Sequence, residues 1–362
     1  MAEIKGVRAS LQDIQAAMPD LTRCWLSRKT TGADPVAASI FDNGGTMGDV
    51  AYVFGATMME AEGRTPKSRQ QAVGKAMATP DFGIRIAQGL QEYVWNRLAT
   101  TNEHREICAP VQAMDFKSIE FPEIELDDPI PPVVNEGAKI PVVAAKHRPG
   151  LVQRVVRRIS NLLVTEEVVL ADEWDLVEGT LAAMVDGVIR AEHKAVMEAM
   201  EDAGDMVDGD PLFSTEAGNV VPGKPFGPDG VGAGMAALRK QKVSGEPANL
   251  TARWLVVPPD HEREAMQIVR DITTGNDPAM RIMVTPELPG SRFYMLADWR
   301  QSAAVHFLTL DNDRRRQSSM DVESISRKTL PVEYDGMAFR VGAQFSALAS
   351  SRTGIVRVDG EE

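Results

Sequence analysis

The sequence predicts an α+β fold, because helical and strand-like patterns occupy different stretches of the chain. From residue 172 to about residue 201, apolar residues recur every three or four positions. This spacing predicts one long helix that begins at Asp172 and Glu173 and ends at Gly204. At 1.5 Å per residue the helix would be roughly 45 Å long. Beyond residue 250, short apolar runs predict strands instead.

The C-terminal third combines several predicted strands with one predicted helix. The strand-like runs are ARWLVVPP, MRIMVTPEL, SRFYMLAD, AAVHFLTL and GIVRV, and the helix is DHEREAMQIVRDI. Asp260 is the expected cap of this helix. Asp335 and Gly336 lie between two further strand-like runs and give the strongest short hairpin signal in the chain.

The stretch between residues 79 and 160 contains a helix, an acidic extended segment and a basic strand. TPDFGIRIAQGLQEYVWNRLA places its apolar residues roughly on one helical face, with Thr79 as the expected cap before Pro80. The acidic segment DFKSIEFPEIELDDPIPPVV contains several prolines, which disfavour a helix. The basic segment KHRPGLVQRVVRRIS follows, and its alternating half, residues 151–160, predicts a strand.

Residues 1–78 differ from the rest in charge. They carry nine Lys and Arg against eight Asp and Glu, whereas the whole chain has a net charge of −13. This difference predicts a separate N-terminal segment. Short helices are expected in LQDIQAAM and SRQQAVGKAMA, on either side of the Gly-rich stretch FDNGGTMGDVAYVFGATMM, which is expected to form turns.

Length and composition limit the classes of protein. With 362 residues and 43% hydrophobic residues, the chain can bury a large core and has room for two or three modules. The net negative charge disfavours long-range attraction to nucleic acid or anionic membranes. Two distant cysteines, Cys24 and Cys108, suggest a reducing compartment. With no signal-peptide core and no run of 18 apolar residues, we expect a soluble protein that stays inside the cell.

A glycine-rich stretch, GPDGVGAGMAALRKQK, raises the possibility of a nucleotide site. Gly232, Gly234 and Ala237 fit the loose dinucleotide pattern. That pattern binds a pyrophosphate only where a buried strand leads into a helix N-terminus, and the preceding VVPGKPFGPDGV contains three prolines. We therefore expect a Gly/Pro-rich loop that ends where a surface helix begins, and no nucleotide cofactor.

Other catalytic patterns are also incomplete. The residues HERE, at 261–264, are followed by Ala265, where a helix-borne zinc pair requires its second histidine. His104 precedes Cys108 by four residues, which we interpret as a coincidence on a loop rather than as a base beside a nucleophile. The sequence therefore predicts no catalytic residues, no metal site and no enzyme.

The order of the pieces resembles the major capsid protein of tailed bacteriophages and prophages, which has the Hong Kong 97-type fold. The resemblance lies in TPDFGIRIAQGL, NEGAKI, EDAGDMVDGDPLFSTEAGN, ARWLVVPPDHEREA and EYDGMAFRVGAQFSALASSRTGIVRVDG. It covers about residues 79 to 362 and is greatest for the branch whose capsid sequences are fused to a prohead protease. The sequence has no protease module, so the resemblance does not extend to cleavage chemistry.

The resemblance implies five structural parts, two of which are discontinuous along the chain. The parts are an N-terminal extension (1–78), an N-arm (79–134), an E-loop (135–155), a peripheral domain (156–204 and 301–347) and an axial domain (205–300 and 348–362). In some relatives an extension of this kind is a scaffold that is removed on maturation. Here it lacks the heptad pattern of a coiled-coil scaffold.

The function implied by the resemblance is self-assembly into an icosahedral shell around the double-stranded DNA of a tailed phage or prophage. The expected shell consists of hexamers and pentamers, and the expected partners are scaffold, portal and decoration proteins. The virion would be assembled in the bacterial host cytoplasm and would enclose DNA without sequence-specific binding. The alternative is an encapsulin-like nanocompartment, which has the same fold and encloses enzyme cargo.

The candidate functional residues are charged groups at expected subunit contacts. The basic set in and beside the implied E-loop is Lys139, Lys146, Arg148, Arg154, Arg157 and Arg158, and the acidic set in the preceding arm is Glu120, Glu123, Glu125, Asp127 and Asp128. In one interpretation these charges are solvated or pair within one subunit. In the other, which the family architecture implies, the E-loop lays its arginines against acidic surface on a neighbouring subunit.

Overall fold

The computed structural model describes residues 2–99, 103–126, 133, 145–171, 173–272, 280–288, 290–310, 320–325 and 336–360. The helices are α1 (Leu11–Ser27), α2 (Pro35–Asp42), α3 (Met47–Ala61), α4 (Arg69–Met77), α5 (Pro80–Ala99), α6 (Glu103–Glu106), α7 (Glu166–Ala171), α8 (Trp174–Glu201), α9 (Pro228–Lys240) and α10 (Glu262–Ile272).

The strands are mostly short. They are β1 (Ala2–Ile4), β2 (Val7–Ala9), β3 (Ala109–Ala113), β4 (Ile119–Leu126), β5 (Ala145–Gln153), β6 (Val156–Thr165), β7 (Val220–Val221), β8 (Lys242–Val243), β9 (Glu246–Pro247), β10 (Ala252–Val257), β11 (Arg281–Val284), β12 (Phe293–Ala297), β13 (Val305–Leu310), β14 (Met320–Ile325), β15 (Gly336–Ala349) and β16 (Ile355–Val358). This mixture of helices and strands confirms the α+β prediction.

The chain divides into two compact units, each made of three segments. Unit 1 contains residues 1–101, 157–189 and 318–344, and unit 2 contains residues 102–156, 190–317 and 345–362. The helix α8 and the strand β15 each contribute residues to both units. The five parts implied by the family resemblance have different bounds from these units, and they stay a prediction.

Unit 1 is built around the contact between α1 and α5. The helix α1 begins with a capping box, in which the Ser10 hydroxyl accepts the Asp13 backbone N–H and the Asp13 carboxylate accepts the Ser10 N–H. A Cβ atom at Gly89 of α5 would lie 2.5 Å from the Pro19 carbonyl oxygen of α1, so only glycine permits this approach. The apolar face of α1 is thereby buried.

The first 78 residues, predicted from their charge to be a separate segment, share a compact unit with the helix that follows them. Their helices belong to the same compact unit as α5 and α7. The ring of Phe54 on α3 packs against that of Phe82 on α5, with 5.3 Å between the ring centroids. Charge composition did not reveal this contact, because the contact is made by buried apolar side chains on both sides.

The prediction of turns for the Gly-rich stretch is wrong for most of its length. The helix α3 occupies Met47–Ala61 and begins with a second capping box, formed by Thr46 and Asp49. A Cβ atom at Gly55 would lie 1.8 Å from the Ala72 carbonyl oxygen, so this glycine is the point where α3 and α4 touch. The glycine here provides close helix packing rather than a turn.

The predicted long helix is confirmed as α8, which begins at Trp174 and ends at Glu201. Val177, Leu181 and Val185, which the apolar periodicity places on one face, are buried. Gly204, the predicted stop signal, follows with a φ of +67°, a conformation that glycine adopts without strain.

A five-stranded sheet in unit 2 has the order β11-β10-β12-β16-β7. The strand β10 is parallel to β11 and antiparallel to β12, and β12 is antiparallel to β16. The core beside this sheet contains Leu255, Val257, Phe293 and Val356 together with apolar residues of α9 and α10. The strands predicted from the C-terminal apolar runs are therefore confirmed.

The helix α10 has a different start from the one expected. A 3-10 turn, Pro259–His261, precedes it, and Asp260 lies within this turn rather than at a helix cap. The expected hairpin at Asp335-Gly336 lies partly outside the described residues, because the described part of β15 begins at Gly336.

The strand β15 pairs differently in the two units. In unit 1, β14 is antiparallel to its first part, with Met320 opposite Ala343 and Ile325 opposite Ala338. In unit 2, β13 is antiparallel to the last part of β15 and parallel to β3.

Cys24 and Cys108 are both buried and form no disulfide. Among the described helices, none has the length and apolar character that a membrane span requires.

We expect Gly55→Ala to lower the midpoint of urea unfolding, measured by circular dichroism. The added methyl group overpacks the contact between α3 and α4, which costs about 1–3 kcal/mol. Gly187→Ala in α8 is the matched control, because nothing lies within 4 Å of its added Cβ atom. Helix propensity should make this control about 0.5–1 kcal/mol more stable. Equal midpoints for the two variants would contradict the tight packing of the N-terminal helices.

Candidate functional site

The candidate site is a β-hairpin in unit 2 formed by β4 and β5, which we call the charged hairpin (residues 119–126 and 145–153). The two strands form a two-stranded sheet of their own. They are antiparallel, with Ile119 opposite Gln153 and Leu126 opposite Ala145. The acidic arm and the basic stretch identified in the sequence are thus neighbouring strands.

The base of the charged hairpin depends on Gly150. A Cβ atom at this position would lie 1.6 Å from the Phe121 carbonyl oxygen, a distance that no other residue could adopt without moving the strand. The register shifts between Phe121 and Glu123, so Pro122 sits at an irregularity, where a strand tolerates proline. The Gly150 backbone N–H donates to the Glu120 carboxylate at 3.1 Å.

Buried side chains attach the base of the hairpin to the rest of unit 2. Ala113, Val155 and Leu308 form a small core, against which Ile119 and Phe121 pack. The Phe121 ring lies 4.6 Å from the His306 ring, measured between centroids, and burial lowers the pKa of His306. The side-chain amide of Gln153 donates to the Ala347 carbonyl oxygen at 3.0 Å.

The charged hairpin also leaves apolar side chains in solvent. Ile124 is 60% exposed and Val152 is 58% exposed. The neighbouring strand β6 continues this pattern, since residues 156–161 are all exposed and include Val156 at 43% and Ile159 at 51%. Single exposed apolar residues are common on protein surfaces, whereas several on one strand are typical of an interaction surface.

The register sets some of the predicted charges opposite one another within the chain. Glu123 lies opposite Arg148, and Glu125 lies opposite Lys146. The pKa of Arg352 is raised mainly by its hydrogen bond to Asp208. The negative charge of Glu123 also raises this pKa, to a smaller extent. The position of Glu123 supports pairing within one subunit for Arg148.

The other candidate residues are placed differently. Arg154, Arg157 and Arg158 are exposed, and within the described ranges no ion pair involves Arg154 or Arg157. Glu120 and Glu123 are exposed on the acidic strand. Lys139, Asp127 and Asp128 lie outside the described residues. A role of these charges between subunits stays a prediction.

The glycines of the nucleotide-like pattern lie within a helix, and one of them has a packing role. Gly232 and Gly234 lie inside α9, which begins at Pro228, earlier than the sequence suggested. A Cβ atom at Gly234 would lie 2.5 Å from the Met295 sulfur and 3.1 Å from Val358, so this glycine lets α9 approach the sheet. Neither glycine lies in a loop between a strand and a helix, as a pyrophosphate site requires.

His104 and Cys108 do not form a catalytic pair. The Cys108 thiol donates to the His104 carbonyl oxygen at 3.4 Å, and burial raises the pKa of this thiol. The His104 ring contacts the buried carboxylate of Glu192 instead. Sequence reasoning missed this ion cluster, because the two residues are 88 positions apart. In the part of the chain that the structure describes, no three His, Cys, Asp or Glu side chains are grouped as metal ligands.

Comparison with known proteins gives a family match and several similar structures. A family model described as phage capsid protein matches residues 152–358, more than half of the chain. A search of curated proteins gave no match. The capsid of the cyanophage P-SCSP1u is 11% identical, with 71% of this chain and 88% of that chain covered and a TM-score of 0.48.

Two further structures have similar sequence identity and coverage. A chain from Mycobacterium phage Adephagia is 14% identical, with 72% of this chain and 90% of that chain covered and a TM-score of 0.48. The holo-SrpI encapsulin of Synechococcus elongatus PCC 7942 is 11% identical, with 72% and 89% covered and a TM-score of 0.44. At these TM-scores the similarities have no bearing on function.

We expect Gly150→Ala to disrupt the charged hairpin without unfolding the rest of the protein. The added methyl group meets the Phe121 carbonyl, so the strands must separate at the hairpin base. Hydrogen exchange of peptides from β4 and β5 should increase, while exchange in β10 and β12 should stay at the parent level.

Gly245→Ala does not serve as a control, because its φ of +87° adds strain. Gly232→Ala, with open space around it, is the matched variant. Unchanged protection of β4 and β5 in Gly150→Ala would contradict the assigned register.

Proposed function

The chain belongs to the phage capsid protein family, and we propose that it is the major capsid protein of a tailed phage or prophage. In this proposal, copies of the chain form hexamers and pentamers of a closed icosahedral shell that encloses double-stranded DNA. The observation that carries the proposal is the family match, which covers residues 152–358 and therefore includes β6, α8 and the five-stranded sheet. The function is structural, without a catalytic step.

The charged hairpin supports this proposal by its geometry. An isolated two-stranded hairpin is at best marginally stable in water, and this one leaves Ile124 and Val152 exposed. A shell requires each subunit to contact several neighbours, and an extended hairpin provides contact area beyond the compact units. We infer that a neighbouring copy covers the apolar side chains of the hairpin and of β6.

The net charge is compatible with enclosing DNA without reading its sequence. A net charge of −13 disfavours tight phosphate binding, which would need many Lys and Arg contacts. Scaffold, portal and decoration proteins are proposed partners, the virion shell is the proposed location, and the cytoplasm of the bacterial host is the proposed place of assembly. These assignments follow from the family and from the resemblance in sequence.

Electron microscopy of the purified, expressed chain tests the proposal. We expect closed particles with hexamers and pentamers, either from the chain alone or after scaffold and portal are added. A subunit that remains monomeric under all these conditions would contradict it. The contents of the particles distinguish a phage head from an encapsulin-like compartment. The compartment would enclose enzyme cargo, whereas the phage head would package DNA when the packaging machinery is present.

Arg154 and Arg157 are the residues that we propose to contact a neighbouring subunit. Both are exposed, and their side chains form no ion pair within the described residues, unlike Arg97, whose guanidinium binds Asp186. Acidic surface on a second copy is the chemistry that would complement them. An exposed pair contributes about 0.2–1 kcal/mol, a small amount that repetition around a shell makes important.

We expect Arg154→Glu with Arg157→Glu to raise the protein concentration needed for assembly. Two lost pairs at about 0.2–1 kcal/mol each correspond to a factor of about 2 to 30 per contact. The effect should shrink as salt rises, because the Debye length falls from about 8 Å at physiological ionic strength to about 3 Å at 1 M. Sedimentation measures assembly, and thermal unfolding of the subunit should stay at the parent value.

A matched control separates local contact from net charge. Arg263→Glu with Arg270→Glu changes the charge by the same amount on exposed positions of α10. If this control shifts assembly as much as the Arg154 and Arg157 variant, the effect comes from net charge and the specific contact is excluded. Assembly of the Arg154 and Arg157 variant at the parent concentration would also exclude it.

A further inference from the structure

A groove of about 660 Å³ lies beside the charged hairpin. One wall is β4, and the opposite wall combines the turn between β8 and β9 with the loop after β15. We call it the hairpin groove, and its lining residues are 120–124, 148, 242–245, 301–303, 306 and 350–353. All of them belong to unit 2, so the groove is formed within one compact unit. Its volume is in the range of pockets that bind a ligand.

The edge of β4 forms one side of the hairpin groove. Five consecutive residues of this strand, 120–124, line the groove. Because successive side chains point to opposite faces of a strand, five consecutive lining residues place the groove along the strand edge rather than on one face. In the part of the chain that the structure describes, β4 pairs only with β5. Its outer edge is therefore open to a further strand.

The part of β4 beyond Pro122 is suited to backbone pairing. The register irregularity ends at Glu123, and residues 123–126 lie opposite residues 145–148 one for one. In an antiparallel pair of this kind, alternate residues direct their N–H and C=O groups away from the partner strand. Pro122 has no N–H and cannot donate. The outward backbone groups therefore begin where Ile124 leaves its side chain in solvent.

The opposite wall offers an exposed apolar side chain and an exposed charge. Val243 on β8 is 48% exposed and lines the groove together with Ile124, which is 60% exposed. Lys242 is exposed beside Val243 and forms no ion pair within the described residues. An occupant with an apolar side chain between Ile124 and Val243, and with a carboxylate near Lys242, would complement both walls.

The other cations that line the groove are placed beside acidic groups of their own subunit. The Arg352 guanidinium binds the Asp208 carboxylate and also donates to the Pro211 carbonyl oxygen at 3.0 Å. Arg148 lies opposite Glu123 in the hairpin register. The charge of Lys242 is thus the one that an incoming carboxylate would neutralise.

We propose that an extended segment of a second copy lies in the hairpin groove and pairs with the outer edge of β4 as a third strand. The inference rests on the proposed function, in which a neighbouring copy covers the exposed apolar residues of the hairpin. A copy that covers Ile124 enters the groove, because Ile124 lines it. Its approach excludes water from the adjacent backbone, where unpaired N–H and C=O groups are costly. A strand satisfies these groups, whereas a helix uses its own backbone groups internally.

Hydrogen exchange of the full chain, before and after assembly into particles, tests the added strand. Peptides covering residues 119–126 should exchange about 2- to 10-fold more slowly in the particles, the effect expected from one added hydrogen bond per outward amide. Peptides covering residues 145–153 belong to the same hairpin and should gain less protection. Equal gains in the two strands would show that coverage only orders the hairpin, and would overturn the proposal.

The variant Lys242→Glu reverses the exposed charge in the groove. It should raise the protein concentration needed for assembly by about 1.4- to 5-fold, and the effect should shrink at about 1 M salt. Lys224→Glu makes the same change of charge at an exposed loop position outside the groove and is the matched control. Equal concentrations for the two variants would overturn the proposal. Thermal unfolding of the subunit should stay at the parent value in both, because both side chains are exposed.

The variant Ala303→Trp places a large side chain in the hairpin groove. The added protection of β4 should then be lost, even in particles that other contacts hold together, and its retention would overturn the proposal. If this variant fails to fold, Lys242→Glu decides. Failure of the parent chain to form particles would contradict the proposed function and this inference together. Particles in which β4 exchanges as fast as in the free subunit would overturn this inference alone.

Discussion

A two-stranded ribbon cannot bury its own side chains, and the charged hairpin must therefore be stabilised from outside. At its base, Gly150 lets β5 touch the Phe121 backbone, and Val155 with Leu308 supplies a small core. Ile124, further along the hairpin, and Val152, near its base, are both exposed. The hairpin thus depends on unit 2 at one end and, in the proposed shell, on a second copy of the chain along its length.

The distribution of charge on the hairpin separates two groups of basic residues. Those within β5, Lys146 and Arg148, lie opposite acidic positions of β4 in the strand register. Arg154 and Arg157 lie just beyond this register and keep their charge at the surface. In the proposed shell, these exposed arginines would complement acidic surface on a second copy of the chain.

Close packing at glycines explains much of the helical part of the protein. Gly55, Gly89 and Gly234 each lie where another backbone or side chain approaches to a distance that a Cβ atom would obstruct. Gly55 lets α3 approach α4 and Gly89 lets α5 approach α1, and these helices belong to unit 1. The third brings α9 onto the sheet of unit 2. Sequence patterns assign such glycines to turns or to ligand loops equally well, because the residue type does not show what approaches it.

The sequence by itself determined the elements whose signal is local. The periodicity between residues 174 and 201 fixed α8, and the apolar runs after residue 250 fixed β10, β12 and β13, since each pattern depends on neighbours within one turn or one strand. The segments shared with phage capsid proteins were also sufficient to identify the family, which the match over residues 152–358 confirms.

Only the tertiary structure decided which distant residues meet. It placed Glu123 opposite Arg148, joined residues 1–78 to α5, and buried Glu192 between His104 and Arg105. No local pattern contains this information, because register, helix packing and buried ion clusters depend on groups far apart in the chain. The free energy of such contacts comes from excluding water and from complementary shape, which exist only when the chain has folded.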